Sequence, residues 1–211
     1  MGFNPNIHHR KSYRLKGYDY SQEGLYFLTI CTKDREYFFG RIEIVGGLPV
    51  GTSHVMSLND VGKIADECWL EIPKHFPNAI LHEHIVMPNH VHGIIELTAI
   101  VGTSHVMSPH VVSPPNDADI SGTRHVVSLH NATQQPQQNK FSKPISGSVS
   151  VIIQQFKSSV KRSCNKNGNE NFQWQSRFHD HIIRNNESYQ RIADYILNNP
   201  SKWQDDKFYK Q

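Results

Sequence analysis

The chain has 211 residues, of which 37% are apolar, and a formal net charge of +3; this suits one domain, or one domain with an insertion that does not pack. No run approaches the ~20 apolar residues of a membrane span, and the polar start (Asn4, Asn6, His8, His9, Arg10, Lys11) does not read as a secretory leader. Cys31, Cys68 and Cys164 lie far apart, which excludes a disulfide framework and a thiolate zinc site and fits a reducing cytoplasm.

Near the start, Arg10, Lys11, Arg14 and Lys16 interleave with Tyr13, Tyr18 and Tyr20, a pattern that suits a phosphate backbone as well as an ordinary solvated face. Residues 25–32 predict a strand from their β-branched and aromatic content. A short repeat then begins at Gly51-Thr-Ser-His-Val-Met-Ser-Leu58 and recurs at Gly102–Pro109 and Gly122–Leu129. Its copies are too short and too irregularly spaced for a solenoid, and the first is expected to lengthen a loop. A helix follows at about 59–74, capped by Asn59 or Asp60, with Ile64, Ala65, Cys68 and Trp69 as its apolar stripe. The apolar runs 79–87 and 90–97, separated by Pro88-Asn89, predict a hairpin.

Residues 98–147 are rich in Ser, Pro, Asn, Gln and Thr. Such a composition cannot bury enough apolar surface to offset ordering, so the stretch reads as a flexible, repeat-bearing insertion. A helix is predicted at about 147–165, with Val151, Ile152, Phe156 and Val160 on one side and the basic Lys157, Lys161, Arg162 and Lys166 opposite. A strand at 179–184 precedes a last helix at 186–198, which Pro200 stops. The order β-α-β-β-α-β-α is a ferredoxin-like α+β domain formed by 10–97 and 148–207.

Chemistry enters with His90-Val91-His92. On a strand both imidazoles share a face while Val91 points into the core, which is half of a metal site on a partly exposed ligand face. The spacing alone is weak evidence, because 14 histidines make such triplets common. His82-Glu83-His84 and His179-Asp180-His181 lack the apolar centre; the adjoining turn gives the first triplet its context. On the last helix Tyr195 and Asn199 stand four apart and share a face. A phenol is a poor nucleophile at neutral pH, and a metal that polarises a phosphate removes much of that obstacle. The set therefore suits phosphoryl transfer, with a packed core tyrosine as the ordinary alternative.

Four segments carry a family resemblance: Arg14-Leu-Lys-Gly-Tyr-Asp-Tyr20, Met87-Pro-Asn-His-Val-His-Gly93, Trp174-Gln-Ser-Arg-Phe-His-Asp-His-Ile-Ile-Arg184 and Tyr195-Ile-Leu-Asn-Asn-Pro200. In this order they resemble the HUH single-tyrosine transposases, and are most similar to the REP-associated tyrosine transposases. The resemblance implies an HUH endonuclease domain, an antiparallel sheet with helices on one side and a C-terminal helix carrying the nucleophilic tyrosine. It implies an enzyme that cleaves and rejoins single-stranded DNA near REP-like hairpins through a 5′-phosphotyrosine intermediate, using a divalent metal ion (Mg²⁺ or Mn²⁺). By resemblance His90 and His92 are metal ligands, Tyr195 is the nucleophile and Asn199 a metal-proximal polar residue, with Asp180 the nearest carboxylate alternative. Arg14, Lys16, Lys157, Lys161, Arg177 and Arg184 are expected to meet DNA. The expected location is the cytoplasm, on the nucleoid when bound, with monomer and homodimer both open. The insertion after the histidine strand and the first repeat copy depart from the pattern. A catalytically silent single-stranded DNA-binding protein and a water-using metal nuclease or phosphatase stay open as alternatives.

Overall fold

The computed structural model describes residues 18–45, 53–99 and 145–209. Arg14, Lys16, the second and third repeat copies and most of the 98–147 insertion lie outside the described residues.

The elements are β1 (Gly24–Cys31), a 3-10 turn (Lys33–Arg35), β2 (Gly40–Val45), β3 (Ser53–Leu58), α1 (Asp60–Leu70), α2 (Ile72–His75), β4 (Ala79–Met87), β5 (His90–Leu97), α3 (Val149–Lys166), β6 (His179–Ile183), α4 (Asn186–Leu197) and a 3-10 segment (Pro200–Asp205). Four strands form one sheet in the order β4-β5-β1-β6, every neighbouring pair antiparallel. This is the ferredoxin-like α+β arrangement. The hairpin turns at Pro88-Asn89 as its turn chemistry predicts, with Met87 opposite His90.

Period-two alternation sorts β5 between two cores. Val91, Ile95 and Leu97 join the cluster under α1 and α3, with Trp69, Ile152 and Phe156. On the other face Ile94 packs with Ile183 and Ile196 under α4. Gly93 faces Trp69, and a Cβ there would stand 2.2 Å from the ring atom Cζ2. The absent side chain is what lets α1 lie on the sheet.

Two expectations need correction. The first repeat copy does not lengthen a loop: Ser53–Leu58 is β3, paired in register with β2 as a separate two-stranded sheet. Alternation turns Met56 and Leu58 toward the main core while Val55 stays exposed. The helix expected over 59–74 is broken after Leu70, because Pro73 has no N–H for a continuous ladder; Ile72–His75 resumes as the short α2, with Pro73 in its first turn, where no N–H is needed. Asn59 caps α1, its Oδ1 accepting from Gly62 N at 3.0 Å, and Asn185 caps α4 through Ser188 N at 2.8 Å.

Asn78, just before β4, bonds to both Thr98 and Gly147. Its carbonyl accepts from Thr98 N at 2.9 Å, and its side-chain Nδ2 donates to Gly147 O at 3.3 Å. None of the described helices is long and apolar enough to cross a membrane.

Candidate active site

The site grows from the hairpin turn. Asn89 Nδ2 donates to the carbonyls of Arg35 and Phe208, at 3.1 and 2.7 Å. With the amide nitrogen so engaged, Asn89 Oδ1 must be the acceptor facing His90 Nδ1, 2.9 Å away. Nδ1 therefore carries the hydrogen and Nε2 the lone pair. His90 Nε2 is buried with no hydrogen-bond partner among the described residues. A buried unpaired acceptor costs about 1–3 kcal/mol, and a lone pair oriented in this way is what a metal takes up.

His92, one pleat on, has Nδ1 3.0 Å from Thr29 Oγ1 across the β1–β5 register and Nε2 3.3 Å from the Tyr195 hydroxyl. Asp206 closes the cluster from beyond the last 3-10 segment. Its Oδ2 accepts from Tyr195 OH and from Asn199 Nδ2, each at 3.1 Å, and its Oδ1 from Phe208 N at 2.7 Å. Tyr195 has one hydroxyl hydrogen, which serves Asp206 or His92 but not both. Ligand atoms of His90, His92 and Asp206 all lie within 4.8 Å of one another. Asn199 is buried beside them, and its Oδ1, like His90 Nε2, has no partner among the described residues. Two imidazole nitrogens, a carboxylate and an amide oxygen are a donor set that fits a divalent ion of the Mn²⁺ or Mg²⁺ kind.

Burial, reinforced by His92, Lys207 and Arg35, holds the His90 imidazolium well below its ordinary range. Burial likewise takes His92 down to about 3, against the Asp206 carboxylate and a Leu28 backbone hydrogen bond. Both rings are thus neutral at pH 7, the state in which imidazole binds metal. Burial first, then the Asp206 charge and its hydrogen bond, push Tyr195 up to about 12, with Asn199 opposing. A cation on the four donors would act in the opposite direction.

The ligand face is not partly exposed as expected: His90 and His92 are 0% and 1% exposed. The covering comes from 200–209, where Phe208 and Trp203 lie 4.6 and 5.9 Å from the His90 ring between centroids. Tyr195 keeps 39% exposure.

The other predicted residues divide. Asp180 pairs with Leu28, which faces α1 and α3, so its carboxylate stands on the opposite side of the sheet from His92 and cannot join the cluster. Tyr189 turns away and donates to Glu83 Oε2 at 2.8 Å. Lys157 donates to Gln175 O, and Lys161 to Glu170 O and Phe172 O at 2.8 and 2.7 Å, so both ammonium groups hold the loop before β6. Arg177 lines a cavity with Thr29, beside the histidines, whereas Arg184 follows the far end of β6. Asp206 was missed. It follows an aperiodic turn, and nothing in its neighbourhood separates it from Asp205.

No family model matches the chain. Over 207 residues it is 36% identical to an uncharacterized protein of Haemophilus influenzae, a match that spans 98% of this chain and 97% of that one. The chain belongs to one family with it. The structure of the REP-associated tyrosine transposase bound to a REP hairpin superposes with a TM-score of 0.50 at 20% identity, over 96% of this chain and 78% of that one. At that identity the likeness speaks for the fold, and the fold is the HUH tyrosine transposase fold.

Proposed function

We propose that the chain is a metal-dependent tyrosine transposase, a strand transferase that cuts and rejoins single-stranded DNA beside hairpins of the REP kind. The observation that carries the reading is the Tyr195 hydroxyl, 3.3 Å from His92 Nε2 and 3.1 Å from Asp206 Oδ2, on a cluster holding two unpartnered buried acceptors. In this reading His90, His92 and Asp206 are the metal ligands, with Asn199 Oδ1 as the fourth donor. A bound divalent cation would supply Lewis acidity toward the phosphate oxygens and offset the charge that builds on them.

The protein's own part is positional. Tyr195 Oη attacks phosphorus, forming the tyrosyl ester to the 5′ side as the bond to the 3′ oxygen breaks. Asp206 Oδ2 stands where it can take the phenol proton, and the departing 3′ oxygen gains one from solvent. The ester keeps the free energy of the cut bond, so attack by a 3′-hydroxyl reverses the step without ATP. Arg177 is the predicted cation best placed to meet the strand at this site. Action on the nucleoid in the cytoplasm, as monomer or homodimer, belongs to the same proposal.

The test is direct. Protein mixed with labelled single-stranded DNA from its own gene's flanks, with Mn²⁺ or Mg²⁺, should give an adduct that survives denaturation, and Tyr195→Phe should give none. DNA retention without an adduct under both metals would favour a silent binding protein. Cleavage without an adduct would favour a water-using nuclease.

A further inference from the structure

A cavity of about 270 Å³ opens beside the candidate site, on the side of Thr29 and away from Tyr195. Three cations line it: Arg35 after β1, Arg177 before β6, and Lys207 beyond the last 3-10 segment. No carboxylate is among its lining residues, and none of the three cations makes an ion pair with another described residue. The Arg35 guanidinium carbon and Lys207 Nζ each lie 4.9 Å from the centre of the Phe208 ring, so one buried ring seats both cations. Arg35 Nη1 also donates to Lys207 O at 2.9 Å, which fixes the pair in place. Like charges that line one cavity repel, and an anion within it turns the repulsion into attraction.

The cavity is one side chain away from the histidines on two walls. Thr29 in its lining meets His92 Nδ1, and Phe208 in its lining packs on His90. Whatever anion sits there lies next to the group on which Tyr195 acts.

Resting on the strand-transferase reading, we propose that this cavity is a second phosphate subsite, where Arg35, Arg177 and Lys207 seat the backbone phosphate adjoining the scissile one and so set which bond Tyr195 reaches. Arg35 and Lys207 here act as positioning residues, as does Arg177.

The experiment is calorimetric titration of the full chain with thymidine 3′,5′-bisphosphate, which carries two phosphates one nucleoside apart, with inorganic phosphate as a second arm. Arg177→Gln and Lys207→Gln should each weaken bisphosphate binding by about tenfold, the scale of one charged hydrogen bond. Arg191→Gln, an exposed cation of α4, should leave it unchanged. Arg35 is left intact because it also holds Lys207 O. Unchanged binding in both pocket variants, or an equal loss in Arg191→Gln, would overturn the subsite. Inorganic phosphate bound as tightly as the bisphosphate would make it a free-anion site and overturn the backbone assignment. Adduct formation is scored separately. An adduct with pocket variants that bind like the parent sinks the subsite and leaves the transferase standing. The expected titrations without any adduct sink the transferase and leave a phosphate site.

Discussion

Asn89 shows how one side chain can decide the chemistry of its neighbour. By spending both amide hydrogens on Arg35 O and Phe208 O, it leaves only Oδ1 for His90 and thereby sets the lone pair on Nε2. Replacing His90 or His92 by Ala should abolish the adduct and the thermal stabilisation by Mn²⁺, which at 100 times its dissociation constant is about 2.7 kcal/mol. Because both rings are buried, each substitution should also cost about 1–3 kcal/mol without metal, more than an exposed ligand face would imply. Their depressed folded-state values make the metal-free protein acid-sensitive. The unfolded chain takes up protons near pH 6.5 and the folded chain does not, so this stability is present above 6.5 and is lost as pH falls below it. For His92, whose folded value is about 3, the loss at pH 5 is ~2 kcal/mol. Urea midpoints at pH 7 and pH 5 in a chelator should show the drop, and His92→Gln should reduce it by that amount.

At the scale of elements, β5 is shaped from both sides. Toward α1 it needs Gly93, because Trp69 is already wedged against Phe156 and His84, with ring centroids 5.4 and 5.9 Å apart. Gly93→Ala should therefore destabilise by at least 1–3 kcal/mol, the usual range for overpacking, read from thermal unfolding. Toward α4 the strand meets a helix with two tyrosines that point about 120° apart. Tyr195 reaches His92 and Asp206, while Tyr189 reaches Glu83. Tyr189→Phe should lose about 1 kcal/mol with its hydrogen bond and keep the adduct. Mass spectrometry of the DNA-linked peptide should place the DNA on Tyr195, and a label on Tyr189 would overturn the choice.

For the molecule as a whole, what could be read from the sequence was what local pattern determines. The hairpin at 79–87 and 90–97 was legible because alternation and Pro88-Asn89 agree, and α4 because its cap, stripe and Pro200 agree. β3 was not, since its alternation lies inside a repeat whose other copies sit in polar low-complexity sequence. Asp206 and the burial of the histidines were illegible for a shared reason. Both depend on where the aperiodic residues 200–209 come to rest, which is a tertiary matter. The domain reading, with 98–147 as an insertion, yields its own prediction. With Thr98 and Gly147 both bonded to Asn78, a short Gly-Ser linker in place of 100–144 should preserve the unfolding midpoint and adduct formation. Loss of DNA binding with unfolding unchanged would give the segment a recognition role.

The contacts at Asn78 also divide the machinery. The histidines belong to the chain before residue 100 and Tyr195, Asn199 and Asp206 to the chain after 144, yet β1 pairs with both β5 and β6. Two separately made fragments, 18–99 and 145–209, would each bring half of a reactive centre, inert alone and complementary on mixing. If the proposed strand transfer holds, dividing the chain at this point would make the activity conditional on whatever brings the two pieces together.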